Sequence, residues 1–76
     1  MNIENFVNNF AAQFDETDSS VFKSDTKFKD LEEWSSLIAL SIIAMIDEEY
    51  GVIIKGDDIR NSETIEELFK IVQLKK

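Results

Sequence analysis

The sequence predicts an all-α fold with three longer helices, one short helix and a long first loop. Two observations lead to this prediction. The chain has no proline and only two glycines, so little in it interrupts a helix. In three separate segments, apolar residues also recur three and four positions apart, which is the spacing of one helix face. With 76 residues the chain is expected to form one domain, spanning 1–76.

The first helix is predicted over residues 2–14, where an apolar stripe runs from Ile3 to Phe14 and Asn2 is a suitable N-cap. The loop that follows, residues 15–35, is rich in Asp, Ser and Thr, which form turns and caps. A loop of this length in a small domain indicates a functional or a well-packed segment. Its expected apolar anchors are Val21, Phe22, Phe28 and Leu31.

The second helix is predicted from Ser36 to Tyr50, with Gly51 ending it. The phase of its apolar residues assigns to the core Ala39, Ile42, Ile43, Ile46 and Tyr50. Apolar residues continue around the other side, and a domain this small cannot bury a helix on all sides. We therefore expect a second, exposed face that recognises a partner. Its predicted residues are Leu37, Ile38, Ser41, Ala44 and Met45, with Glu48 at the rim.

The last part of the chain contains one packed loop and two helical segments. The apolar run 52–54 has no second strand to pair with and is interpreted as a packed loop. Residues 57–61 are expected to form a short helical turn. A final helix is expected to begin at Thr64, because Thr64 and Glu67 have the spacing of a capping box. Its predicted apolar face consists of Ile65, Leu68, Phe69 and Val72.

The composition limits the chemistry that the chain itself performs. It contains no cysteine and no histidine, which removes disulfides, a thiolate nucleophile, the commonest general base and the commonest metal ligand. We therefore expect no catalytic residues and no metal site, so that any chemistry arrives on a partner or on an attached group.

The charge and the hydropathy pattern point to a class of partner. A formal net charge of -8 disfavours nucleic acid and anionic membranes and favours proteins with basic patches, although it alternatively serves solubility alone. The start of the chain lacks the basic and apolar runs of a signal peptide. The longest uncharged stretch, 34–46, is too short to span a bilayer. We expect a cytoplasmic protein without membrane insertion.

Two segments of the chain carry a family resemblance. Residues 31–37, Leu-Glu-Glu-Trp-Ser-Ser-Leu, look like an attachment motif that is usually Asp-Ser-Leu. Residues 45–52, Met-Ile-Asp-Glu-Glu-Tyr-Gly-Val, match an apolar pair, an acidic triplet and an aromatic residue at the same spacing from the serine. Ile54 and the pair Thr64-Ile65 are similar to the later part of the same pattern. The combination, which covers essentially the whole chain, resembles the acyl carrier protein family.

The resemblance implies a four-helix acyl-carrier-like bundle with 4′-phosphopantetheine attached to Ser36, at the start of the second long helix. It also implies the partners. A phosphopantetheinyl transferase takes the group from coenzyme A with its own magnesium, and acyl-transferring and condensing enzymes with basic surface patches use the resulting thiol. On this interpretation the chain is expected to be a monomer and not an enzyme. It is a substrate and shuttle in fatty-acid, polyketide or related lipid synthesis.

Some positions depart from the family pattern. Ser35 stands where an aspartate usually precedes the attachment serine, which makes it a predicted recognition residue, and upstream acidity remains in Asp30, Glu32 and Glu33. In the helix after the serine, Ile38 and Ser41 stand where the family often has acids. Together these departures indicate a specialised carrier with its own partners. Two alternatives remain open. One is an aminoacyl or peptidyl carrier, although the glycines typical of that type are missing here. The other is an unmodified acidic interaction module in which either serine is only an N-cap.

Overall fold

The computed structural model describes residues 2–76, so that Met1 of the predicted domain 1–76 lies outside the described residues. Within 2–76 the chain forms helices and no strand. The four helices are α1, Ile3–Ala11; α2, Ser36–Tyr50; α3, Gly56–Arg60; and α4, Ile65–Lys75. The predicted all-α fold, with three longer helices and a short one, is confirmed. None of these helices has the length and apolarity needed to cross a membrane.

The helices enclose one core that is rich in phenylalanine. Phe6 and Phe10 of α1 are fully buried, and the ring centroid of Phe6 lies 5.3 Å from that of Phe69 in α4. From α2, Ile42 and Ile46 are fully buried as predicted. Burying each such side chain contributes about 1.5–3 kcal/mol, which is why the apolar stripes of the sequence become the contacts between helices.

The end of α1 differs from the prediction. The helix ends at Ala11 rather than at residue 14. The N–H groups of Gln13 and Phe14 donate to the carbonyls of Phe10 and Ala11 at 3.1 and 3.0 Å, so the chain tightens into a 3₁₀-like turn. Phe14 is buried even so. The apolar stripe therefore continues past the helix, because the tighter turn keeps Phe14 on the same side.

The long connection between α1 and α2 is packed against the core. It contains two short 3₁₀ turns, at Ser19–Val21 and at Phe28–Asp30. The anchors Phe22 and Phe28 are buried as expected. Val21, also expected as an anchor, is 43% exposed, because the first turn directs only its neighbour inward.

The same connection holds the start of α4. The N–H of Ile65 donates to the carbonyl of Thr26 at 3.3 Å, and the N–H of Glu66 donates to the carbonyl of Ser24 at 2.8 Å. The first N–H groups of a helix have no partner within the helix, so the connection satisfies donors that α4 cannot. These contacts identify the connection as a well-packed loop.

The segment 52–54 and the start of α4 follow the predictions closely. Val52 and Ile54 are buried, and the segment has no strand partner within residues 2–76. Thr64 is the N-cap of α4, and its hydroxyl oxygen accepts a hydrogen bond from the N–H of Glu67 at 3.2 Å. The Glu67 carboxylate accepts from the N–H of Glu63 at 2.7 Å, one residue earlier than in an ordinary capping box.

Candidate functional site

Two adjacent serines at the start of α2 have different environments. Ser35 is the N-cap: its backbone is extended, and its Oγ accepts a hydrogen bond from the N–H of Ile38 at 3.3 Å. Ser36 is the first residue of the helix and is exposed. Within residues 2–76, its hydroxyl forms no hydrogen bond. The capping role therefore belongs to Ser35, and the Ser36 hydroxyl is accessible.

The electrostatics of this helix end favour a negative group on Ser36. α2 has 15 residues, and its first turn contains no acidic side chain. The aligned peptide dipoles leave a partial positive charge there, where an anion gains about 0.3–1 kcal/mol at an exposed site. A phosphate ester on Ser36 Oγ therefore fits this position without disturbing the Ser35 cap.

Glu33 ties the segment before α2 to the turn that follows α1. Its Oε2 accepts a hydrogen bond from the N–H of Asp15 at 2.7 Å. Its Oε1 accepts from the N–H groups of Glu16 and Thr17 at 3.0 and 2.9 Å, and from Thr17 Oγ1 at 2.7 Å. The Thr17 hydroxyl, with the three N–H groups, holds the pKa of Glu33 below its ordinary value, although burial acts the other way. The Glu33 carboxylate is thus bound by donors of the protein itself, although Glu33 is one of the upstream acids that the sequence predicts to be available to partners.

Trp34 anchors the same segment through aromatic contacts. Its ring centroid lies 5.0 Å from that of Phe28, edge to face, and 6.4 Å from that of Phe14, nearly parallel. Trp34 therefore packs against the first loop through Phe28. The side chains of Glu33, Trp34 and Ser35 therefore all make contacts within the protein. The next residue, Ser36, has a hydroxyl that forms no hydrogen bond in the described part of the chain.

The predicted recognition face of α2 is wrong at two positions. Met45 is only 6% exposed and belongs to the core, and Ile38 is half-buried and packs against the core. Neither side chain projects away from the core, contrary to the prediction. Since α2 is apolar on nearly all sides, its sequence pattern does not define its rotation. Because α2 packs against α1, its buried face is rotated from the predicted core face towards Met45. The rotation is about 60° at 100° per residue.

The other predicted recognition residues are exposed. Leu37 is 77% exposed, and the side chains of Ser35, Ser41, Ala44 and Glu48 also face solvent. Leu40, which the sequence-based set omits, is 61% exposed. The spacing of three between Leu37 and Leu40 places them on one side of the helix and could have identified Leu40.

Three of these residues line a groove between α1 and α2. Ser41, Ala44 and Glu48 lie on its α2 side, and the groove has a volume of ≈ 350 Å³. Its other side consists of Asn9 of α1 and of Ala12 and Gln13, which follow the end of α1. The sequence analysis missed the α1 residues, because no local pattern shows which helix α2 faces. Ser36 and Leu37 do not line this groove.

The chemical capacity of the site follows from its own geometry. Comparisons with protein-family models, curated proteins and solved structures find no match to this chain. The Ser36 hydroxyl has no hydrogen-bonded base within residues 2–76 to activate it, and the chain has no histidine. The hydroxyl can accept a group from a partner that brings its own catalytic residues.

The C-terminal turn of α2 carries an acidic cluster. Asp47, Glu48 and Glu49 are exposed, and the last turn contains no basic residue. Negative charges at a helix C-terminus oppose the helix dipole, so this arrangement costs stability. Lys76 offsets part of that cost, since its Nζ donates to the carbonyl of Tyr50 at 2.9 Å.

Proposed function

We propose that this chain is an acyl carrier that holds acyl groups as thioesters on 4′-phosphopantetheine at Ser36, in fatty-acid, polyketide or related lipid synthesis. The observation that carries the proposal is the difference between the two serines. Ser35 caps α2, and Ser36 presents an accessible hydroxyl at the positive end of the helix. The resemblance of residues 31–37 and 45–52 to acyl carrier proteins supports the same assignment.

A partner transferase supplies the catalysis that the chain lacks. Ser36 Oγ gives its proton to a base of the transferase and forms a bond to the pantetheine-side phosphorus of coenzyme A, while the bond from that phosphorus to the bridging oxygen breaks and adenosine 3′,5′-bisphosphate leaves. The magnesium ion belongs to the transferase. Once attached, the arm provides a thiol that forms thioesters. The remaining residues of the site bind partners and hold Ser36 in place.

The exposed residues of α2 favour binding to partner enzymes with basic surfaces. Leu37 and Leu40 offer apolar contact beside Ser36, and the acidic cluster of Asp47, Glu48 and Glu49 lies at the far end of the helix. Acids that cost stability at a helix C-terminus are more readily explained by a basic binding partner than by solubility, because solubility does not require that position.

The two serines provide the test. The purified protein is incubated with coenzyme A, magnesium and a phosphopantetheinyl transferase, and its intact mass is recorded. We expect a gain of one phosphopantetheine group, and Ser36→Ala should abolish the gain with stability changed by less than about 0.5 kcal/mol. Ser35→Ala is the matched control. It should still be modified but lose about 1 kcal/mol of stability, because it removes the cap.

Two results would contradict the proposal. Fragmentation that locates the arm on Ser35 would show that the site is wrong. If no transferase modifies the protein and no modified form occurs in its native cells, the unmodified interaction module becomes the better interpretation. The substitution of Ser35 for the family's usual aspartate favours that second function. An aminoacyl or peptidyl carrier would be modified equally, and the mass of the loaded group distinguishes it.

A further inference from the structure

The carboxylate of Glu33 makes a contact that the proposed function leaves unexplained. We propose that Glu33 is a positioning residue for the chemistry at Ser36. Its carboxylate fixes the segment 33–36 against the turn 15–17, so that Ser36 is presented to the transferase in one orientation. This inference rests on the proposed function of Ser36.

The contact is dense. Three consecutive N–H groups, of Asp15, Glu16 and Thr17, and the Thr17 hydroxyl converge on one carboxylate at 2.7–3.0 Å. None of the three N–H groups has another acceptor within residues 2–76. Hydrogen bonds to an ionised acceptor are about twice as strong as neutral ones. The turn 15–17 therefore depends on Glu33 for its backbone partners.

A second contact joins the same two segments. Phe14 directly precedes Asp15, and Trp34 directly follows Glu33, and the rings of Phe14 and Trp34 lie 6.4 Å apart. The polar and the aromatic contact are thus adjacent along both segments. Together they hold the chain just before Ser35, whose cap begins α2. The position of Ser36 is therefore set from both sides, by these contacts and by the helix.

Loss of the Glu33 carboxylate should leave the segment held only by the aromatic contacts of Trp34 with Phe14 and Phe28. The segment then samples several orientations, of which only a fraction suits the transferase. The apparent KM for the carrier rises by the reciprocal of that fraction, while kcat at saturation is unchanged. A residue that only stabilises the fold does not separate KM from kcat in this way when the variant stays folded.

The experiment compares Glu33→Gln with Glu32→Gln. Glutamine keeps the shape of Glu33 but turns one acceptor into a donor that faces N–H groups. Glu32 is exposed and accepts no hydrogen bond within residues 2–76, so its variant loses the same charge without the contact. Trp34 is the single tryptophan, so its emission reports on the segment directly. Hydrogen exchange of the Ile38 N–H reports on the Ser35 cap.

In Glu33→Gln we expect faster exchange of the Ile38 N–H and of the amides of 15–17, and Trp34 emission at longer wavelength. With a transferase that modifies the wild type, KM should rise about fivefold or more with kcat within about twofold. Glu32→Gln should match the wild type in Trp34 emission and in amide exchange, and its KM, which reports the loss of one negative charge alone, should rise less than that of Glu33→Gln. Thr17→Val, which keeps the carboxylate and removes one donor, should change the same quantities less and serves if Glu33→Gln does not fold.

Three results separate the possibilities. The inference is overturned if the amides of 15–17 exchange faster while Trp34 emission, Ile38 exchange and KM stay at wild-type values. It is also overturned if Glu32→Gln raises KM equally, since net charge then explains the effect. If the wild type is never modified, the proposed function fails. Trp34 emission and Ile38 exchange then decide alone whether Glu33 positions the segment.

Discussion

At the scale of single residues, the ionisation of Glu33 couples the first loop to pH. Its pKa in the folded protein lies below the ordinary value of 4.5, mainly because of the Thr17 hydroxyl. A lowered pKa contributes stability that is present above the unfolded value and is lost as pH falls through the folded value. The Glu33 contribution should therefore be present above pH 4.5 and be lost as pH falls through the folded pKa, which lies below 4.5.

We predict that acid reduces the stability of the wild type more than that of Glu33→Gln. The measurement is the urea midpoint between about pH 6 and about pH 3. Asp18, whose pKa is lowered by the backbone N–H and the hydroxyl of Ser20, contributes equally to both proteins and cancels in the comparison. Glu32→Gln should follow the wild type. Parallel curves for the wild type and Glu33→Gln would contradict the assigned role of the Thr17 and backbone contacts.

Met45 and Leu40 test the rotation of α2. Met45 is buried, so Met45→Ala should cost about 2–5 kcal/mol of unfolding free energy. Leu40 is exposed, so Leu40→Ala should cost less than about 0.5 kcal/mol. Partner binding should respond in the opposite order, with Leu40→Ala weakening transfer to cognate enzymes. Urea unfolding measures the unfolding free energy. Equal losses of unfolding free energy in the two variants would show that the described rotation of α2 is wrong.

At the scale of elements, α2 is held at both ends. Glu33 and Trp34 anchor the segment before it. At its C-terminus, Asn9 Nδ2 of α1 donates to the Tyr50 hydroxyl at 3.0 Å, and Lys76 Nζ donates to the Tyr50 carbonyl. The helix that carries the candidate site is therefore connected to α1, to the loop and to the end of the chain.

The two glycines allow a matched test of how α2 ends. Gly51 is the C-cap with φ of 65°, a left-handed conformation, and a Cβ there meets no atom within 4 Å. Gly51→Ala should therefore cost about 1–2 kcal/mol from the backbone alone. Gly56 is the first residue of α3, where a Cβ meets only Arg60 Nη1 at 3.9 Å. Gly56→Ala should stabilise by about 0.4–1 kcal/mol.

Thermal denaturation of both variants checks this pair. A shift of the same sign in Gly51→Ala and Gly56→Ala would contradict the left-handed end of α2. The comparison isolates backbone conformation, since neither added methyl group makes a close contact.

At the scale of the whole molecule, the net charge of -8 acts against folding through self-repulsion. The molecule measures 30 × 23 × 20 Å. The Debye length is about 30 Å at 0.01 M salt and about 8 Å at 0.15 M, so repulsion reaches across the whole molecule only at low salt. The ion pairs described in residues 2–76 lie at or near the surface, where each contributes about 0–1 kcal/mol.

We therefore predict that the melting temperature rises as sodium chloride increases from about 0.01 to about 0.15 M. Screening of the general repulsion outweighs the loss of a few surface pairs. A sodium chloride series followed by circular dichroism measures the effect. A fall in melting temperature over this range would show that specific ion pairs contribute more to stability than the net charge removes.

The local features of the chain were predictable from its residues. The helix boundaries at Ser36, Tyr50 and Thr64 agree with the structure, because caps and stop residues act within a few positions of themselves. The packed loop at 52–54 was predictable for a similar reason, since one strand cannot pair alone. The end of α1 was not, because a turn that tightens after Ala11 preserves the same apolar spacing.

The features of the candidate site also fall into those that the sequence predicts and those that depend on tertiary packing. The sequence by itself determined the all-α class, the helix that begins at Ser36 and the acidic character of the chain, since composition and short spacings encode them. Only the tertiary structure decided that Met45 and Ile38 face the core, that Ser35 provides the cap, and that Glu33 binds the turn at 15–17. Rotation of an apolar helix and contacts between residues distant in the chain depend on the packing of whole elements, which no local pattern contains.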